Sequence, residues 1–152
     1  MTEQMAPGLE FEAMRRAVEE SDYDALVALY ADDAELRTVN KKSPPSSPQV
    51  LRGKEEISEM LRDVCGRAMT HHVEDEIVGE NRVAFNEACE YPDGLKVLTA
   101  TTLELQNGKI SRQVNIEDCI PLALSRSIVL ALEWTIFECC SDVVRNSALR
   151  TS

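Results

Sequence analysis

Glu87 is the residue whose setting points most directly to chemistry. In the run Arg82–Tyr91 it shares an alternating face with Val83, Phe85, Cys89 and Tyr91. A carboxylate on an otherwise apolar face loses hydration once that face is covered. Its protonated form is then favoured, which makes it a candidate general acid or base, or a hydrogen-bond anchor for a ligand. The structural alternative is an ion pair with Arg37, Arg52 or His71. In Thr70–Val78, His71 and Asp75 alternate with Val73 and Ile77, so both are expected to meet Glu87 across a sheet. A histidine held by a carboxylate is a common proton-transfer arrangement, whereas a histidine at a helix end or a subunit contact does no chemistry. The expected catalytic set is therefore Glu87, His71 and Asp75. His71 and His72 are adjacent and would point to opposite faces of a strand, so no metal site is expected from them. Tyr30 and Tyr91 offer hydroxyls to a ligand, although aromatics at element ends also serve packing.

The elements that position these groups follow from periodicity and turn signals. Phe11, Met14 and Val18 recur at helical spacing across Leu9–Glu20, behind a loose lead-in at Met1–Gly8. SDYD breaks that helix, and ALVALY resumes the pattern with Leu26, Leu29 and Tyr30 until ADD ends it. AELRTV alternates as a strand, and NKKSPPSSPQV reads as a surface loop because its prolines can hold neither ladder nor helix. Ile57, Met60, Leu61 and Val64 share one face of a third helix that ends near Gly66. THHVEDEIV then begins a meander in which PDG and NGK separate three runs, RVAFNEACEY, LKVLTATTLELQ and ISRQVNIED. About five strands are expected. The acidic run VEDE reads as a solvated strand edge that discourages wrong pairing.

At 152 residues the chain is long enough for one domain with a substantial core. Its 16 basic against 27 acidic residues give a net charge of −11, which repels nucleic acid and anionic membranes. Cys65, Cys89, Cys119, Cys139 and Cys140 form an odd set without C-x-x-C spacing, and no apolar signal follows the first residues, so a reduced, cytoplasmic location is expected. Cys139 and Cys140, set among apolar residues, read as packing thiols. After Asp118 the composition turns apolar. Arg126, Glu133 and Glu138 lie within the run Ile120–Cys140, so a helix buried on the domain or on a partner fits better than a membrane anchor. The division expected is a domain over 1–118 and a helical C-terminal extension over 119–152.

The order helix, helix, strand, loop, helix, sheet, together with DYDALVALYADDAEL, LRGKEEISEML and NGKISRQVNIED, resembles the nuclear transport factor 2-like superfamily, in its SnoaL-like and ketosteroid isomerase-like branch. The resemblance covers Leu9–Asp118. It implies an α+β fold with three N-terminal helices on a strongly curved antiparallel sheet, a cystatin-like cone enclosing a mostly apolar pocket. It also implies a homodimer formed through the sheet. Ketosteroid isomerase chemistry would place a general base, an oxyanion-hole tyrosine and a protonated aspartate at Thr38, Met14 and Ala100, and none of these can serve. The Asp, Arg, Asp set of the limonene epoxide hydrolase-like branch falls on Cys89, Glu87 and Asn115 and is likewise missing. Met14, Tyr30, Thr38, Cys89, Tyr91 and Asn115 form the expected ligand-lining set. Asn115 is aligned inward, although Ile110, Val114 and Ile116 occupy the opposite phase of its strand. Both hold if one sheet face lines the pocket and the other packs on a second subunit.

The chain carries no phosphate-binding glycine loop, nucleophile elbow or metal cluster. If it is an enzyme, its chemistry is expected to be cofactor-free isomerisation, dehydration or hydrolysis of a small apolar molecule. A non-catalytic ligand-binding protein, or an interaction module acting through its C-terminal helix, are the alternatives.

Overall fold

A computed structural model describes residues 9–120. The predicted lead-in over Met1–Gly8, the apolar helix beyond residue 120 and the thiols Cys139 and Cys140 lie outside the described residues. Three helices and six strands follow in order. They are α1 (Phe11–Glu19), α2 (Tyr23–Ala28), β1 (Tyr30–Val39), β2 (Gln49–Arg52), α3 (Gly53–Cys65), β3 (Thr70–Val78), β4 (Arg82–Glu90), β5 (Lys96–Gln106) and β6 (Lys109–Ile120). No helix among the described residues is long and apolar enough to cross a membrane.

Helix α1 forms because Phe11, Met14 and Ala17 fall on one stripe, and all three are buried. Asp22 starts α2, its carboxylate accepting a hydrogen bond from the Ala25 amide at 3.1 Å. Helix α3 buries Ile57 and Leu61. The hairpin between β5 and β6 turns through Asn107 and Gly108, both with positive φ, as a tight two-residue connection requires.

The strands form one sheet in the order β2-β1-β6-β5-β4-β3. The meander from β3 to β6 is antiparallel, as its turns predict. The sheet as a whole is mixed, because β1 runs parallel to β6. That pairing corrects the expectation of a purely antiparallel sheet. Turn signals specify how consecutive strands pair, whereas β1 and β6 are joined by the whole intervening chain, so no local signal sets their direction. Two further corrections concern β1. It starts at Tyr30 and takes in Ala-Asp-Asp through a register shift between Tyr30 and Glu35, and the end of the proline-rich loop forms β2 against it. The sheet therefore has six strands.

Alternation divides the sheet into two faces. Leu36, Val73, Val83, Phe85 and Leu103 join Phe11, Met14, Ile57 and Leu61 in the core between sheet and helices. The acidic strand β3 does lie at an edge, with Glu74, Asp75 and Glu76 exposed. Helix α1 satisfies part of that edge. Arg15 Nη1 donates to the Val73 carbonyl at 3.1 Å, and Glu19 Oε1 accepts from the Val73 amide at 3.0 Å. The conflict over β6 resolves through a bulge. The register shift between Glu104 and Leu105 brings Ile110 to the core face, where it is buried, while Ile116 stays on the outer face and is 60% exposed.

Candidate functional site

The inner faces of β3, β4, β5 and β6 face α2, α3 and the α3–β3 connection across a concave space of about 530 Å³. Glu87, His71, Cys89, Tyr30, Tyr91 and Asn115 all line it. Three other residues of the expected set do not. Met14 is packed in the core, Thr38 is buried on the inner face of β1 beside Asn115, and neither reaches the space. Asp75 is exposed on the far side of β3, where its carboxylate accepts from Asn86 Nδ2 at 3.2 Å. A bulge between Glu74 and Ile77, with Asp75 at φ 55°, breaks the alternation that would have turned it inward. Ala100 is also exposed on the outer face. Its inward-facing neighbours are Thr99 and Thr101, which carry no carboxyl group.

Of the three ion-pair partners anticipated for Glu87, it is His71 that meets it, while Arg52 pairs with Glu35. His71 stands opposite Cys89 in the β3–β4 ladder, and Glu87 precedes Cys89 by two residues on the same face of β4. His71 Nδ1 is 2.7 Å from Glu87 Oε1, with the histidine side chain 4% and the glutamate side chain 19% exposed. The Cys89 thiol completes a triangle, donating to Glu87 Oε1 at 3.4 Å and lying 3.4 Å from His71 Nδ1. Oε1 thus takes both donors, and none of the described residues donates to Oε2. Burial pushes the Cys89 thiol well above its ordinary value, and the Glu87 charge adds to the shift. The thiol is therefore a donor here and not a nucleophile.

A second polar row comes from β6. The Tyr30 hydroxyl donates to Gln113 Oε1 at 2.5 Å, and Gln113 Nε2 donates to Asn115 Oδ1 at 2.9 Å. Thr101 Oγ1 also donates to Asn115 Oδ1, at 3.2 Å, so the Asn115 amide hydrogens are what remains to serve a ligand. Burial, reinforced by the Glu87 charge, drives the Tyr30 phenol far above its ordinary value and keeps it a neutral donor. Glu117 lies one further step along the same face, and Asn40 Nδ2 donates to its Oε2 at 3.3 Å. Glu87 and Glu117 both pair with Thr99, from opposite sides. Burial raises the Glu117 carboxyl above its ordinary value, and the Glu87 charge adds to the effect. The Asn40 hydrogen bond and the Arg67 charge oppose it. Arg67 is held at the rim by Asp63 and by the Tyr91 hydroxyl.

Gln113, Glu117 and Arg67 were missed by sequence reasoning. The signal for two of them was present, because the alternation that turns Asn115 inward also turns Gln113 and Glu117 inward. Arg67 follows the end of α3 and belongs to no periodic pattern.

The Glu117 shift has a definite consequence for stability. A carboxyl raised in the folded state binds its proton more tightly there than in the unfolded chain. Its contribution is present at low pH and is lost as pH rises from the ordinary glutamate range through the raised folded value. Glu117→Gln, which keeps an oxygen for Asn40, is expected to abolish that decline. Urea midpoints of the two proteins should therefore diverge as pH rises above the ordinary glutamate range, the variant being the more stable at the upper end. Parallel pH profiles would show that Glu117 is as well solvated as an ordinary surface carboxylate.

A family model described as a SnoaL-like domain matches residues 11–113. No curated protein matches the chain significantly. Among solved structures, an NTF2-like protein of unknown function from Mesorhizobium loti superposes with a TM-score of 0.62 at 18% identity, over 71% of this chain and 89% of that one. A putative ketosteroid isomerase from Kribbella flavida gives 0.59 at 13% identity, over 79% and 84%. An LEH-like epoxide hydrolase of M. tuberculosis gives 0.53 at 20% identity, over 71% and 79%. At such identities the likeness is one of fold.

Proposed function

This chain belongs to the SnoaL-like domain family, within the nuclear transport factor 2-like fold, and from that premise we propose that it binds a small, largely apolar molecule in its concave site and transforms it by cofactor-free acid/base chemistry. The observation that carries the reading is the 2.7 Å contact between His71 Nδ1 and Glu87 Oε1 in the wall of that site. His71 donates to Oε1 and fixes the carboxylate, leaving Oε2 to take a proton from the ligand or return one. His71 is thus a positioning residue and Glu87 the proton-transfer group. Glu117, biased towards its protonated form, is suited to donate to a leaving or carbonyl oxygen, and the Asn115 amide to hold that oxygen. Isomerisation of a ketone, dehydration of a hydroxy-ketone and hydrolysis of an epoxide all fit this set.

The test is a panel of ketones, hydroxy-ketones and epoxides assayed in chelator-treated buffer with the natural protein and with Glu87→Gln. Turnover by the natural protein and its loss in the variant are expected. A second reading, in which the protein binds without catalysis, is favoured by the two hydrogen bonds already held by Glu87 Oε1. Saturable ligand binding with no turnover anywhere in the panel would decide for it.

The protein is also proposed to act as a homodimer through the outer face of its sheet. Ile77, Leu98 and Ile116 are exposed there, at 72%, 39% and 60%, on β3, β5 and β6. Ile116→Asp is expected to convert the dimer to a monomer by light scattering while leaving the circular dichroism unchanged. A natural protein that is itself monomeric at micromolar concentration would refute this assembly.

A further inference from the structure

From the triangle of His71 Nδ1, Glu87 Oε1 and Cys89 Sγ we infer a binding site for a divalent transition-metal ion of zinc type, with its open position facing the concave space. The three donor atoms lie within 4.8 Å of one another, at 2.7, 3.4 and 3.4 Å. Bonds of about 2.0 Å to nitrogen and oxygen and about 2.3 Å to sulfur would set the donors of a tetrahedral ion roughly 3.3–3.6 Å apart. Two edges of the triangle already meet that spacing, and the third needs to open by roughly half an ångström, within the reach of a glutamate side chain. One imidazole, one carboxylate and one thiolate, with the fourth position open, form a donor set that suits zinc or cobalt and disfavours magnesium or calcium.

The sequence argument against a metal rested on two histidines that point apart, but this site needs only one. Its other two donors come from the facing strand, and cross-strand register brings them to His71. Binding replaces the Cys89 sulfur–hydrogen bond with a sulfur–metal bond and releases that proton to solvent. The imidazole proton moves from Nδ1 to Nε2, an atom that is buried and without a partner among the described residues. The ion also supplies positive charge where burial and the neighbouring Glu87 and Glu117 otherwise oppose a thiolate, with Arg67 as the cation facing it.

The inference does not depend on the acid/base reading. That reading is tested by turnover in chelator-treated protein, and this one by an optical signature that needs no substrate. The full chain would be titrated with Co²⁺. A near-ultraviolet thiolate-to-cobalt charge-transfer band saturating at one equivalent is expected, retained in Cys65→Ser and Cys119→Ser. It should be lost in Cys89→Ser and fall at least about tenfold in apparent affinity in Glu87→Gln. No band in the natural protein, or a band that survives Cys89→Ser, would overturn the site. Should Cys89→Ser fail to fold, Zn²⁺ titration of the natural protein followed through the His71 ring nitrogens decides instead. A Nδ1 shift saturating at one equivalent supports the site, and an unmoved Nδ1 refutes it.

Discussion

Glu87→Gln is expected to lower kcat on any substrate of the panel by about 10²–10⁴-fold, the usual contribution of a positioned general acid or base, with little change in KM. Glutamine keeps an oxygen where Oε1 accepts from His71 at 2.7 Å, so the β3–β4 wall should hold its shape. What it loses is the capacity to take a proton. His71→Asn should reduce kcat less, because the carboxylate remains and only its orientation is released. Steady-state kinetics on folded variants separates these effects. Equal kcat for the natural protein and Glu87→Gln would leave Glu87 with no more than a ligand-orienting role.

Leu36→Ala should cost about 2–5 kcal/mol of stability, the usual cost of truncating a buried leucine. Leu36 is 2% exposed on β1, on the face that α3 covers, between Leu51 on β2 and Gln113 on β6. Removing its side chain leaves a cavity that paired strands on both sides have little freedom to fill. The denaturant midpoint should fall with the slope unchanged, and the melting temperature by roughly 10 °C. Thr102→Ala, on the exposed face of β5, should stay within about 0.5 kcal/mol and serves as the control. A Leu36→Ala loss below about 1 kcal/mol would mean that the layer between sheet and helices is loosely filled.

The meander was legible in the sequence because its information is local. PDG and NGK fix the hairpins, and alternation fixes which side chains share a face, so Glu87, Cys89 and Tyr91 were assigned together from one run and do line one space. Helices α1 and α3 were legible from single apolar stripes. Asp75 shows where such reasoning stops. One extra residue in β3 reverses the phase of everything beyond it, and alternation cannot register an insertion whose only mark is a positive φ at an aspartate. The parallel union of β1 with β6 is of the same kind, since it depends on the path through α3 and four further strands and not on any turn.

By itself, then, the sequence determined the family, the hairpins and the shared face of Glu87 with its strand neighbours, because these depend on residues close together in the chain. Tertiary structure decided that His71 and not an arginine meets Glu87, that Cys89 closes the triangle, and that Glu117 stands across Thr99 from Glu87. Each of those contacts joins different strands, and the register that creates it is set by bulges and by the packing of the whole sheet against the helices.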